Sequence, residues 1–413
     1  MKSIKFNIIT AFIFSFSLFN FHAAGAQELQ LLIDEALTNN PKIKKFELQY
    51  RIASEKVNEV NTLPNTEFGV GFFASEPETR TGAQRFKVSV KQVLPWFGNI
   101  TAREKYVSSL AASKYEDITI VKRKLVASVL QSYYNLVTNT AKQVVLNNKI
   151  QLLKTYETLA LTSVEVGKSS VVAVLRLQMR TNEIQQLSST LEQQYLSEQT
   201  TFNKLLNRDK NITITVLDAM DIPSIDFETN SEKLIFHPEL LKYDKLYQSI
   251  TQSEVLNQKE SNPMIGFGFD YVNVAKRPDM NFGDNGKDIL MPMLTVSIPI
   301  FNTKRTSKTK QNNLQQEELL AQKQERLNAL KVLLDTAINN RTSARISYET
   351  QAKNLKQAKY AEEILVKNYE TVAIDFKDLL EIQELQLKFE MNMIESVNNY
   401  YVQTTIINYL TQQ

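Results

Sequence analysis

The chain has 413 residues, 48 basic side chains against 45 acidic ones, and no cysteine. Disulfides, thiolate metal sites and a lipid-modified N-terminal cysteine are therefore excluded. The formal charge of +3 includes Lys2 and Lys5 at the start of the chain, so the remainder is near neutral and carries no net basic field for a nucleic acid.

Lys2 and Lys5 precede an apolar run from Ile8 to Phe19, and Ala24-Gly25-Ala26 supplies small residues for cleavage. This is the pattern of a secretory signal peptide over residues 1–26, too short for the ~20 residues of a spanning helix. A first helical stretch follows and meets Asn40-Pro41. Two alternating segments come next, Phe68 to Ser75 and Arg85 to Val93, each predicting a strand. After Leu94-Pro95-Trp96-Phe97-Gly98 a helix is predicted from Asn99 with no Gly or Pro until Gly167. At 1.5 Å per residue its first 64 residues would reach roughly 95 Å. Apolar residues recur at seven in three series: Ala111, Ile118, Leu125; Leu130, Val137, Val144; Leu146, Leu153, Ala160. That period marks coiled-coil packing. Glu165 to Ser170 predicts a turn, and a second helix returns to about residue 206. Residues 207–236 form a connector with a predicted short strand at Ile212 to Val216.

From His237-Pro238 the order repeats, about 200 residues on. Strands are predicted at Ile265 to Val274 and Ile289 to Ser297, followed by Ile298-Pro299-Ile300-Phe301-Asn302 and a long helix from Thr303. Leu320, Leu327 and Leu334 run beside Leu330, Ala337 and Ala344; Thr371 to Asp375 predicts the turn, and the last helix carries Leu380, Leu387, Ile394 and Tyr401 at seven. The domains expected are thus a first repeat over 27–206, the connector over 207–236 and a second repeat over 237–413. An internal repeat of this kind decides the fold before any local detail does.

Each repeat offers one hairpin. In Arg85 to Lys91, Phe86, Val88 and Val90 alternate with Arg85, Lys87, Ser89 and Lys91, an apolar face opposite a charged one. Phe68, Val70 and Phe72, then Ile265, Phe267, Phe269 and Tyr271, then Leu294, Val296 and Ile298 give further such faces. Four strands cannot close a barrel in lipid, where about eight are needed and open edges are not tolerated; three copies would supply twelve. A small soluble sheet shows the same alternation.

These residues resemble the TolC-like outer-membrane efflux channels of Gram-negative bacteria, across nearly the whole chain from Ala36 to Tyr409. The resemblance rests on Asn40-Pro41 and His237-Pro238 opening the repeats, on Gln92-Val93-Leu94-Pro95-Trp96-Phe97-Gly98, and on its echo Val296-Ser297-Ile298-Pro299-Ile300-Phe301. It implies a mixed α/β membrane protein: a homotrimer in which four strands per protomer build a 12-stranded outer-membrane β-barrel, continued by a long periplasmic coiled-coil barrel. It implies a passive duct needing no cofactor, held in outer-membrane lipid and working with a periplasmic adaptor and an inner-membrane pump, often of the resistance-nodulation-division type. Drugs, metal ions and secreted proteins all pass through such channels.

By the same resemblance, Asp378 and Glu381 occupy two acidic gate positions in the turn into the last helix, and Tyr369 the position of a tyrosine that ties neighbouring helices. Three apart on a helix, the two carboxylates share a face, and a ring of them in a trimer would favour cations. The first repeat departs from the pattern: Ala173 stands where relatives carry an acid, and Arg176 matches Glu381. Arg176 is thereby an expected partner for Asp378 or Glu381 across adjacent tips.

Enzyme chemistry finds little support. Past the signal peptide only His237 remains, which excludes histidine-based triads and multi-histidine metal sites, and its place before Pro238 predicts a helix-start residue. Gly266 and Gly268 sit inside a strand, where they predict a bulge or close approach rather than a phosphate loop. Met264, Met291 and Met293 could ligate Cu(I), but apolar packing near the sheet rim accounts for them. Lys122-Arg123-Lys124 and Lys304-Arg305 lie within helical periodicity and predict solvated faces. The alternative to a channel is a non-transporting periplasmic coiled-coil scaffold.

Overall fold

The structure is a computed structural model that describes residues 28–411 apart from 168–169, 218, 227–230, 280 and 371–375, and the side chains of 368–370 and 376. The signal-peptide region and the second predicted turn lie outside the described residues. Helix α1 covers 28–39, followed by α2 (Pro41–Val60), β1 (Glu67–Phe72), β2 (Glu78–Thr79), β3 (Gly82–Leu94), α3 (Asn99–Glu165) and α4 (Val171–Leu205). After a 3₁₀ turn at Ser231–Phe236 come α5 (Pro238–Glu260), β4 (Met264–Val274), β5 (Ile289–Ser297), α6 (Thr303–Glu370) and α7 (Phe376–Thr411). Pro41 and Pro238 are each the first residue of a helix, where the missing N–H costs nothing. Among the described residues no helix is long and apolar enough to cross a membrane.

The chain divides into two compact units, each drawn from both halves of the sequence. Of the described residues, one comprises those within 28–45, 119–237 and 327–411. Its core holds Leu146, Leu153, Tyr156 and Ala160 of α3, Leu177, Ile184 and Leu191 of α4, and Leu379 and Leu387 of α7. Seven-residue spacing along α3 and again along α4 is the spacing of a coiled-coil seam. Val144 departs from the expected seam and is exposed.

Residues 212–217 lie in this unit too, and they form no strand. Their alternation is real, since Ile214 is buried. Their carbonyls, however, are taken by side chains of α4: Gln199 and Asn203 both donate to Ile212 O at 2.9 Å, and Tyr195 reaches Ile214 O at 3.5 Å. Side-chain donors replaced the ladder that a strand would have needed. Farther along the connector, Asp226 accepts from Arg345 and from Tyr400 Oη at 2.6 Å, and Tyr348 and Tyr401 bind Asp221. Burial favours the neutral acid at Asp226, but the hydrogen bonds from Arg345 and Tyr400 outweigh it and hold the carboxyl below its usual range.

The other unit comprises 46–118 and 238–326 and contains the sheet. Its strand order is β1-β3-β4-β5, with β2 paired to β3. Every pairing is antiparallel, and β3 with β4 joins the two predicted hairpins into a single sheet. The helical part of this unit is tied by Arg103 to Glu260 at 3.1 Å, Lys242 to Asp117 at 2.7 Å, Ser253 to Asn312 at 3.1 Å and Lys323 to Asp244 at 2.5 Å. Leu320, placed on a seam by its spacing, is exposed here.

Candidate functional site

The sheet sorts its residues by chemistry. Register carries Phe68 onto Val90, Val90 onto Phe269 and Phe269 onto Pro292; one step along, Phe72 pairs with Phe86 and Val70 with Val88, Tyr271 and Leu290 in turn. Phe68, Phe72, Phe267, Phe269, Leu290, Leu294 and Val296 are all exposed on that side. Phe72, Phe86 and Tyr271 form a chain of tilted rings across three strands at 6.2 and 6.1 Å. So broad an apolar surface, left open to the surroundings on one face of a four-stranded path, marks a lipid or protein contact rather than a soluble exterior.

The opposite face is mixed, and it holds the charged side chains and the glycines of the sheet. It carries Lys87, Ser89, Lys91, Asp270 and Thr295 among the glycines 69, 71, 266 and 268, with Val93, Val272 and Ile289 interspersed. Lys87 is ion-paired to Asp270, which is fully buried. Close approach is the reason for two of the glycines. A Cβ on Gly266 would stand 2.3 Å from Thr295 Oγ1, and one on Gly69 would stand 2.6 Å from Ser89 Oγ. Those hydroxyls donate to the glycine carbonyls, Thr295 to Gly266 O at 3.3 Å and Ser89 to Gly69 O at 3.4 Å. Met291 and Met293 project to this same side, Met293 across Gly268. The irregularity in the ladder lies elsewhere, between Gln84 and Phe86.

Both edges of the sheet are open. β1 pairs only with β3 and β5 only with β4 among the described residues. Phe73 N–H donates to Arg85 O at 3.0 Å, one step beyond the Phe72–Phe86 pair. The backbone groups of 67, 69 and 71 therefore turn toward β3, and those of 68, 70 and 72 turn to the free edge. At the strand-to-helix junctions Trp96 and Phe97, and Ile300 and Phe301, stand exposed in corresponding places. Gly98 adopts φ +80°, beyond which α3 begins.

The gate residues predicted from the sequence lie in the other unit. Asp378 and Glu381 share a face in the first turns of α7 and are both exposed; Glu381 meets Lys377 at 3.6 Å. Arg176 is exposed on α4 and makes no ion pair among the described residues. Tyr369 belongs to α6, but its side chain falls outside the described residues. The first predicted turn is present: α3 ends at Glu165, Gly167 takes φ +68°, and Ser170 caps α4 by accepting from Val172 N–H at 3.2 Å.

A polar cluster that sequence reading missed sits farther along the same helices. Glu362 of α6 accepts from Tyr156 Oη at 2.9 Å, from Gln386 at 2.7 Å and from Gln383. Lys149 Nζ in turn donates to Gln383 Oε1. Lys149, Gln383, Gln386 and Tyr156 are all buried. Burial pushes the Lys149 amine down to about 8, against the pull of Glu390 and Glu362 upward, with Arg180 and Lys359 adding to the depression. The Tyr156 phenol is pushed up, first by burial and then by Glu362. In the first repeat Gln178 donates to Glu157 Oε1 at 2.7 Å, the counterpart of Gln383 on Glu362, yet that pair is exposed. The signal was available: Lys149 and Tyr156 are polar residues each three places after the seam leucines Leu146 and Leu153, where a second apolar series belongs.

No protein-family profile matches the chain, and no curated protein matches it. Solved structures do. The channel described with CusC superposes with a TM-score of 0.77 at 14% identity, covering 93% of this chain and 92% of that one. The outer-membrane channel OprN gives 0.74 at 15%, covering 93% and 90%, and the outer membrane protein VceC of Vibrio cholerae 0.71 at 13%, covering 93% and 96%. The chain has the fold of these outer-membrane channels. The superpositions leave little of either chain unmatched.

Proposed function

We propose that three copies of this chain close a 12-stranded barrel in the outer membrane of a Gram-negative cell, with the long helices forming a periplasmic tunnel, and that the assembly is the passive exit duct of a tripartite efflux system. The observation that carries this reading is the sheet: an apolar face exposed along its length, an opposite face that holds the charged side chains and the glycines, and two free edges. An edge left open in hydrocarbon costs several kcal/mol per unmet backbone group, so a lipid-embedded sheet of this width must close on further copies of itself. Exposed Leu320, Val332, Ile346 and Ile364 on α6 and Leu175 and Met179 on α4 fit an assembly larger than the single chain. The exposed aromatic residues at the two junctions fit a membrane–water interface. The duplicated Gln–Glu pairs, 178 with 157 and 383 with 362, support descent of the two halves from one unit.

Export would run from the periplasm outward, with a periplasmic adaptor and an inner-membrane pump of the resistance-nodulation-division type supplying opening and energy. Asp378 and Glu381 would form the acidic ring at the periplasmic end, with Arg176 of an adjacent tip and Tyr369 as its ties. Purified protein in a planar bilayer tests this. A small cation-selective conductance from unheated trimers is expected, and Asp378→Asn/Glu381→Gln should lower the selectivity toward unity. Conductance with unchanged selectivity discards the ring; a soluble monomer that never inserts discards the channel.

A further inference from the structure

Below the sheet, within the same unit, α3, α5 and α6 enclose a groove of about 370 Å³ lined by Tyr106, Asn257, Glu260, Lys304, Ser307 and Lys308, with Leu256 and Gln311 beside them. Lys304 and Lys308 stand one turn apart on α6, where side chains four residues apart are neighbours. Neither makes an ion pair among the described residues. The carboxylates at hand are already engaged. Glu260 is held by Arg103 at 3.1 Å, and Glu254 accepts from Asn312 at 2.7 Å and Thr309 at 2.9 Å. Arg305 and Lys310 add to the cationic character of this stretch, and α6 has no acid in its first turn. Two like charges side by side, near a helix start that itself disfavours cations, repel one another within the protein alone.

We propose that this groove binds a soluble oxyanion, a phosphate or phosphate-like group bridging the Lys304 and Lys308 ammonium groups. The Ser307 hydroxyl, which accepts from Gln311 at 3.3 Å, has its own hydrogen to donate to such a group, and the phenol of Tyr106 lies in the same lining. An anion seated there removes the repulsion between the lysines, and its charge-assisted bonds are of the strong kind. A solvated helix face, the reading from sequence for Lys304-Arg305, accounts for exposed lysines but not for a cavity that gathers two of them around polar donors.

Calorimetric titration of the detergent-solubilised, full-length protein with pyrophosphate at low salt tests the site. Saturable binding is expected, weakened at least tenfold by Lys304→Gln/Lys308→Gln and less than twofold by Lys105→Gln/Lys310→Gln, which removes two cations of this unit that do not line the groove. Equal loss in both double variants means general surface charge and overturns the proposal, as does absence of saturable binding to the unaltered protein. Saturable binding of short-chain phosphatidylglycerol without any of pyrophosphate would give the groove to lipid and overturn the soluble-anion assignment. If Lys304→Gln/Lys308→Gln does not fold, Ser307→Glu on the exposed lip should abolish binding in its place. The assay reads binding and not conductance, so a protein that binds without conducting keeps the site and loses the channel.

Discussion

Lys149 is the residue whose chemistry is most at odds with its surroundings. It is 7% exposed, among leucines, with one neutral acceptor in Gln383. Its amine titrates at about 8 instead of 10.5. Below pH 8 folded and unfolded chains both carry the proton, and the buried ammonium costs about 3 kcal/mol. Between pH 8 and 10.5 the folded chain releases the proton while the unfolded chain keeps it, so this cost is relieved as pH rises. Lys149→Met fills the same volume and removes the charge, at the loss of a hydrogen bond worth about 1 kcal/mol. The variant should therefore be more stable at pH 7 by about 1–2 kcal/mol, and this advantage should vanish by pH 10.5. Denaturant unfolding of both proteins at the two pH values checks it; an advantage independent of pH would mean that the amine titrates normally. If the advantage holds, Lys149 is retained at a cost in stability, which directs attention to its link between α3 and α7 and away from a purely structural role.

At the scale of elements, the face of the sheet opposite the exposed aromatics depends on glycine at 69 and 266 because hydroxyls occupy the space a side chain would need. Gly266→Ala drives a methyl group into Thr295 Oγ1, 2.3 Å from the position of its Cβ, and should cost about 1–3 kcal/mol as overpacking. Thr295→Ala in the same chain should restore most of that loss, because the nearest remaining atoms stand 3.7 Å away. Loss of stability to denaturant in the single variant and its return in the double one are the readout; no return would place the strain in the backbone. The sequence made Gly266 legible as a close approach because glycine in a strand has few other uses. It made the strands and long helices legible for the same kind of reason, since periods of two and seven depend only on which residues share a face. It failed at 212–216, where alternation was present but α4 side chains had taken the carbonyls. It also failed at Glu362, whose partners come from α3 and α7: no local pattern reports a hydrogen bond between residues more than 200 places apart, as Tyr156 and Glu362 are. Gate residues 378 and 381 were placed on one helix face by spacing alone, and that spacing says nothing of what faces them.

For the whole molecule, the question is whether the open edges of the sheet are the surfaces on which copies join. Backbone parity makes this separable from the folding of one chain. Residue 70 of β1 turns its N–H away from β3, whereas residue 71 turns its N–H toward it, as the Phe73 to Arg85 bond requires. Val70→Pro therefore deletes a donor that the single chain does not use, at an edge position where proline is tolerated. Gly71→Pro deletes one that the β1–β3 ladder does use. If the edge of β1 meets β5 of another copy, Val70→Pro should leave the chain folded, with its far-ultraviolet circular dichroism unchanged, and still abolish the trimer on unheated gels and in outer-membrane fractions. Gly71→Pro should impair folding of the sheet itself. A Val70→Pro protein that assembles as well as the unaltered chain would show that the free N–H groups of β1 are not the joint, and would count against the proposed closure of a barrel through this edge.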